Sequence, residues 1–106
     1  MQELFESLPP STLDESSAAQ LAELFRTLAD PSRLRILASL LFAEQTVSGL
    51  ASEVGISEPA VSYHLRGLRQ MHIVHPRRQG REVFYSLEDD HVTDLLKRGW
   101  EHIRHL

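Results

Sequence analysis

Cysteine is absent from this 106-residue chain. That removes disulfides, thiolate nucleophiles, iron–sulfur clusters and any soft-metal or redox sensing that works through sulfur. No apolar run approaches the ~20 residues of a membrane span, and no basic-then-apolar signal segment opens the chain. These absences lead us to expect a soluble, cytoplasmic protein with no membrane partner. What is present is ordinary for a globular chain, with 42% hydrophobic and 25% charged residues. The length suits one domain whose modest core would gain from a partner.

Base is also in deficit, and a net charge of −4 taken alone argues against a nucleic-acid partner. Its distribution argues the other way. Residues 61–81 hold Arg66, Arg69, Arg77, Arg78 and Arg81 and no acid, between two acidic flanks. Such a local basic segment is an electrostatic footprint that the whole-chain sum hides. A solvated basic face is the plainer alternative, and it is common for two or three arginines.

Residues 1–14, with two consecutive prolines and little periodicity, read as a flexible N-terminal arm, and 15–106 as one folded domain. Ser17 and Gln20 have capping-box spacing before the apolar stripe Leu21, Leu24, Phe25, Leu28. Asp30-Pro31 opens a second helix of about 12 residues, with the stripe Leu34, Leu37, Leu40, Leu41. A third begins at Thr46 and stops at Gly55. A fourth is capped by Ser57, holds Glu58 and Pro59 in its first turn, and turns Val61, Leu65 and Leu68 inward. Two helices joined by a tight glycine-containing turn, at about 46–70, are a helix-turn-helix pattern. From about 72 to 87 the period changes: Ile73-Val74 and Val83-Phe84-Tyr85 flank a turn-like centre, Arg77-Arg78-Gln79-Gly80. The final stretch, about 89–105, returns to helical spacing. The fold class expected is mainly α with a β-hairpin wing, in the order α-α-α-α-β-β-α.

A helix-turn-helix puts its second helix in the major groove. The positions that would face DNA are Glu58, Ala60, Ser62, Tyr63, His64 and Arg66. Ser62 and His64 can hydrogen-bond base edges or phosphates, and Ala60 can meet a thymine methyl. Arg77, Arg78 and Arg81 on the hairpin suit phosphates or a narrow minor groove. The alternative is a helix pair that serves only as a packing unit. An enzyme is not expected, because Ser62 and His64 lack a third residue to orient them and no glycine-rich phosphate cradle is present.

The stretches "LADPSRLRILASL" (28–40), "VSGLASEVGISEPAVSYHLRGLRQMHIV" (47–74) and "RRQGREVFYSL" (77–87) resemble the ArsR/SmtB family of metal-responsive repressors. The likeness covers roughly residues 17 to 106. It implies a homodimeric winged-helix repressor that sits on an inverted-repeat operator of double-stranded DNA. A metal or other inducer would release it, with metal-efflux or metal-storage genes as the usual targets. Many members carry a cysteine motif on the third helix, and "TVSGLASEVG" here has none.

The tail "LEDDHVTDLLKRGWEHIRHL" (87–106) collects His91, His102 and His105. At about 100° per residue all three share one helical face. Eleven residues of rise nevertheless separate His91 from His102 by ~16 Å, too far for one ion. An antiparallel partner helix would bring the first group of one chain to His102 and His105 of the other, and symmetry would make two sites. Asp89 lies about 200° from His91 on an ideal helix and can join only at a non-helical N-terminus. The family's fifth-helix sensors use an Asp-x-His pair followed by His-x-x-His or His-x-x-Glu, and the resemblance carries Asp89, His91, His102 and His105 into those roles. Three imidazoles and a carboxylate suit Zn²⁺, with Co²⁺ as a close mimic; nickel is the weaker expectation. No organic cofactor is expected. His102, with its second ring N–H, and the His72 carbonyl at the end of the fourth helix form an expected coupling route from tail to reading head. The alternative keeps the repressor but drops the metal. It would answer a non-metal signal or be constitutive, with the tail histidines on a surface face.

Overall fold

A computed structural model describes residues 12–106. It contains, in order, α1 (Glu15–Leu28), α2 (Pro31–Leu40), α3 (Val47–Val54), α4 (Glu58–Gln70), β1 (Val74–Gln79), β2 (Glu82–Leu87) and α5 (Asp90–Arg104). This is the expected order, four helices, a hairpin and a last helix. Residues 1–11 of the expected arm lie outside the described residues.

Most helix starts follow the capping logic of the sequence. The Thr46 hydroxyl accepts from Gly49 N at 3.1 Å, and the Ser57 hydroxyl from Ala60 N at 3.2 Å. Gly55 stops α3 in the left-handed region, φ 79°. The first helix differs from expectation. Asp14, not Ser17, is its N-cap, and its carboxylate accepts from Ser17 N at 2.7 Å. An aspartate caps as well as a serine does, so the helix gains a turn at its start. The second helix ends at Leu40 after 10 residues. Its buried face is Ile36, Leu37 and Leu40, whereas Leu34 is exposed. Leu34 and Ile36 lie about 200° apart on a helix, so one core cannot take both.

Helix α4 buries Val61, Leu65 and Leu68, as the four-three spacing requires. It ends in a Schellman motif, with Ile73 N donating to Leu68 O at 2.9 Å and His72 N to Arg69 O at 3.0 Å. The left-handed position in that motif, usually glycine, is His72 at φ 55°. The hairpin pairs Val74 with Leu87 at one end and Gln79 with Glu82 at the other. Its loop is therefore Gly80-Arg81, and Arg77, Arg78 and Gln79 are strand rather than turn. Gly80, at φ 63°, supplies the positive φ that closes a hairpin in two residues, so pairing runs on to the tip. On its free edge β2 meets Gln45, through Tyr85 N to Gln45 O at 2.8 Å and Gln45 N to Tyr85 O at 3.1 Å.

The core joins α2, α3, α4 and the base of the wing through Ile36, Leu37, Leu50, Val61, Leu65, Leu68 and Val74, all fully buried. Val92, Leu95 and Leu96 of α5 pack on its margin. Among the described residues no helix is long and apolar enough to cross a membrane.

Candidate nucleic-acid interface and metal-ligand pairs

Helix α4 crosses the core on one side and leaves the other open. Glu58, Tyr63 and Arg66 are exposed, and Ala60, Ser62 and His64 are half-buried. All six therefore sit on or beside the open face at the front of the second helix of the pair. His64 is tethered there. Its Nδ1 accepts from Arg33 Nε at 3.1 Å, and its ring meets that of Tyr63 edge-on at 5.4 Å. Arg33, on α2, was not legible as a functional residue from the stripe of leucines. A signal existed, since it stands four residues before the buried Leu37 and three before Ile36, on the inward side of the helix.

The wing's arginines divide. Arg77 is paired with Glu44, through Nη2 to Oε1 at 2.8 Å and Nε to Oε2 at 3.0 Å, and its guanidinium lies 5.2 Å from the Phe84 ring centre. The two-point hydrogen bond to Arg77 lowers the Glu44 carboxyl below its usual range and raises Arg77 above its own. The segment 61–81 thus has a counter-charge after all, contributed by the α2–α3 connection. Arg66, Arg69, Arg78 and Arg81 are exposed and make no ion pair among the described residues. Four arginines of that segment remain without a counter-charge among the described residues, two on α4 and two at the wing tip.

At the tail, Asp89 is the N-cap of α5 with φ −162° and ψ −178°, the non-helical geometry that lets it turn toward His91. Its Oδ1 accepts from His91 N at 3.0 Å and Val92 N at 3.4 Å, and lies 3.4 Å from His91 Nδ1. Oδ2 takes none of these bonds, and the His91 side chain is 94% exposed. At the other end His105 N donates to His102 O at 3.2 Å, so His105 stays one turn from His102 although the helix has closed at Arg104. Asp89 and His91 thus adjoin at the start of α5, His102 and His105 lie one turn apart at its end, and the two pairs are not brought together within the chain. Among the described residues no group of three or more potential ligands converges on one point. His72 and His102 share no hydrogen bond among the described residues.

The sequence profile of the bacterial regulatory protein arsR family matches residues 30–75. A transcriptional repressor SmtB homolog from Synechocystis sp. is 44% identical over 95 residues, covering 90% of this chain and 72% of the relative. The chain belongs to the ArsR/SmtB family. A Staphylococcus aureus protein, a homolog of the cadmium resistance transcriptional regulatory protein CadC, is 33% identical over 93 residues, 87% of this chain and 77% of that one. The solution structure of the homodimeric winged helix-turn-helix DNA-binding domain of Mb0332 from Mycobacterium bovis matches with a TM-score of 0.78 at 26% identity, covering 91% of each chain. The ArsR/SmtB family is one of transcriptional regulators, not of enzymes.

In this ArsR/SmtB chain one more surface is unaccounted for by the core. Phe25 and Leu28 of α1, Leu34 of α2, and Leu96, Trp100 and Ile103 of α5 line an open apolar groove of about 620 Å³. Phe25 is 50% and Trp100 60% exposed. Gly99 lies on the groove with nothing within 4 Å of where a side chain would stand.

Proposed function

We propose that the protein is a homodimeric transcriptional repressor. It binds an inverted-repeat operator with two copies of α4 and two wings. It is released when zinc, or cobalt, is held between two antiparallel α5 helices, derepressing metal efflux or storage genes. The observation that carries this reading is the placement of Asp89 and His91 at one end of α5 and of His102 and His105 at the other.

Asp89 and His91 of one protomer with His102 and His105 of its partner would hold the ion. The donor set fits it. Asp89 uses Oδ1 on the helix and keeps Oδ2 open, and the three imidazoles complete an N/O set of the kind that four-coordinate zinc takes. Bound there, the ion would cross-link the two helices. The apolar groove beside the ligands supports the pairing, since a second copy would cover Phe25, Trp100 and Ile103, which one chain leaves to water. The homodimeric Mb0332 domain gives the pairing a precedent in the same fold. The cadmium-resistance relative gives metal-linked regulation a precedent in the family. A cysteine-free chain must meet a metal with other donors.

Regulation needs a route from α5 to α4. Of the His102 ring's two nitrogens, one would face the metal and the other N–H would donate to the His72 carbonyl or a neighbour where α4 ends. His72 O accepts no backbone hydrogen bond among the described residues, so that acceptor is available.

Fluorescence anisotropy tests the proposal with a duplex selected from a random pool by the protein itself. Zinc and cobalt should each weaken binding by about fivefold or more, the lower end of measured allosteric couplings. His91→Ala should lose metal and response together, whereas His102→Gln should lose response more completely than metal. Tight zinc binding that leaves duplex affinity unchanged would contradict the regulatory half of the reading.

A further inference from the structure

Arg33 lies outside the helix pair, yet its side chain meets three parts of the molecule. Its Nη1 donates to the Thr27 carbonyl at 3.1 Å, in the last turn of α1. Its Nε donates to His64 Nδ1 at 3.1 Å. Its guanidinium carbon lies 5.9 Å from the Tyr63 ring centre. Room for this comes from Gly67, one turn along α4. A Cβ at Gly67 would stand 2.7 Å from Nη2 and 3.1 Å from Cζ of Arg33. Gly67 therefore keeps the place in which the guanidinium sits.

The chemistry of this contact is one-sided. A guanidinium is always charged and only donates, so the His64 nitrogen that faces it must be an acceptor. A neutral imidazole with Nδ1 accepting carries its proton on Nε2. Nε2 has no hydrogen-bond partner among the described residues. No buried side-chain nitrogen or oxygen is left unpaired among the described residues, so Nε2 has access to solvent.

We propose that Arg33 is a positioning residue for base recognition. Held between Thr27 O and the Gly67 notch, it locks His64 in the Nε2–H tautomer and orientation, presenting one fixed donor to the major groove. A donor there selects acceptors, which are N7 or O6 of guanine, N7 of adenine and O4 of thymine, and rejects the amino edge of cytosine. The proposal rests on α4 as the reading helix but not on any metal. It makes specificity depend on a residue that touches no DNA.

Two variants separate positioning from folding. Gly67→Ala favours the helix but fills the notch, displacing the guanidinium while leaving Arg33 and His64 in the chain. Arg33→Met removes both donors. ¹⁵N–¹H correlation spectra of the imidazoles read the tautomer, and anisotropy compares a duplex selected by the wild type with a scrambled one. In the wild type His64 should show Nε2 protonated and Nδ1 bare. In both variants the tautomers should mix, and the affinity ratio of selected to scrambled duplex should fall by about tenfold for each half-site, the worth of one base-edge contact. Arg33→Lys, which donates from one point and cannot bridge both acceptors, should recover only part of the ratio. A wild-type His64 carrying its proton on Nδ1 would overturn the proposal, and so would variants that keep the full ratio. If the wild type itself showed no preference for any duplex, with the tautomer as expected, the fault would lie with α4 as the reading helix.

Discussion

Arg77 shows how much one distant side chain changes a local reading. Counting charge along residues 61–81 makes it one of five equivalent phosphate-binding groups, but Glu44, 33 residues away, engages two of its nitrogens. Arg78→Ala should therefore weaken all duplexes and flatten the salt dependence by about one released counterion for each phosphate left unneutralised. Arg77→Ala should do less to DNA and more to the seating of the wing. The same pair carries a pH dependence. Hydrogen bonding to Arg77 lowers the Glu44 carboxyl in the folded state, so its contribution is present above the unfolded carboxylate pKa and is lost as pH falls through the folded one. Melting curves of the wild type and Glu44→Gln should differ near pH 7 and converge as acid protonates the folded carboxylate. Parallel curves across that range would show the pair contributes nothing. His72 is a second residue whose cost is local. It occupies the left-handed place that closes α4, which disfavours any L side chain by about 1 kcal/mol. His72→Gly should raise stability in urea by that order.

Most elements were legible from the sequence because their ends are written in local chemistry. Asp30-Pro31, Thr46, Gly55 and Ser57 each act through a backbone group within a few residues, and the structure uses all four. Ser57→Ala should cost about 1 kcal/mol in denaturant unfolding, the usual worth of an N-cap, and loosen the front of α4 where the candidate base-facing residues lie. Where local cues compete, the packed chain decides between them. Asp14 and Ser17 both qualify as caps, and the better-placed Asp14 begins α1. The four residues Arg77 to Gly80 looked like a loop, but one glycine with positive φ is enough, so two strands of six residues form instead. In α5 the spacing of the tail histidines was readable, and so was the need for Asp89 to leave the helical conformation. What spacing could not reveal was the tether on His64, because Arg33 belongs to another helix and is recognised only once α2 and α4 are packed together.

At the scale of the whole molecule, the single chain is incomplete in two matching ways. An apolar groove between α1, α2 and α5 faces water, and the proposed ligand pairs stand at opposite ends of α5, so that each would need the other half from elsewhere. One antiparallel partner would supply both. Trp100→Ala should then weaken dimerisation and metal binding together, as read by sedimentation and zinc competition, although Trp100 is not a ligand. A dimer also doubles the four unpaired arginines and spaces two reading helices for an inverted repeat, which predicts affinity that falls steeply with salt.

The shared site is tested most directly by mixing two variants that are each unable to bind. In His91→Ala every site of the homodimer lacks the imidazole of its first pair, and in the double change His102→Ala with His105→Ala every site lacks the whole of its second. A mixed dimer restores one complete site, made of Asp89 and His91 from one chain and His102 and His105 from the other, and destroys its second site entirely. After equilibration of equal amounts, half the dimers are mixed, so tetrahedral cobalt absorption should return to about one quarter of the wild-type value. Absorption that stays at the level of the separate variants, in samples shown to have exchanged subunits, would contradict an intersubunit site.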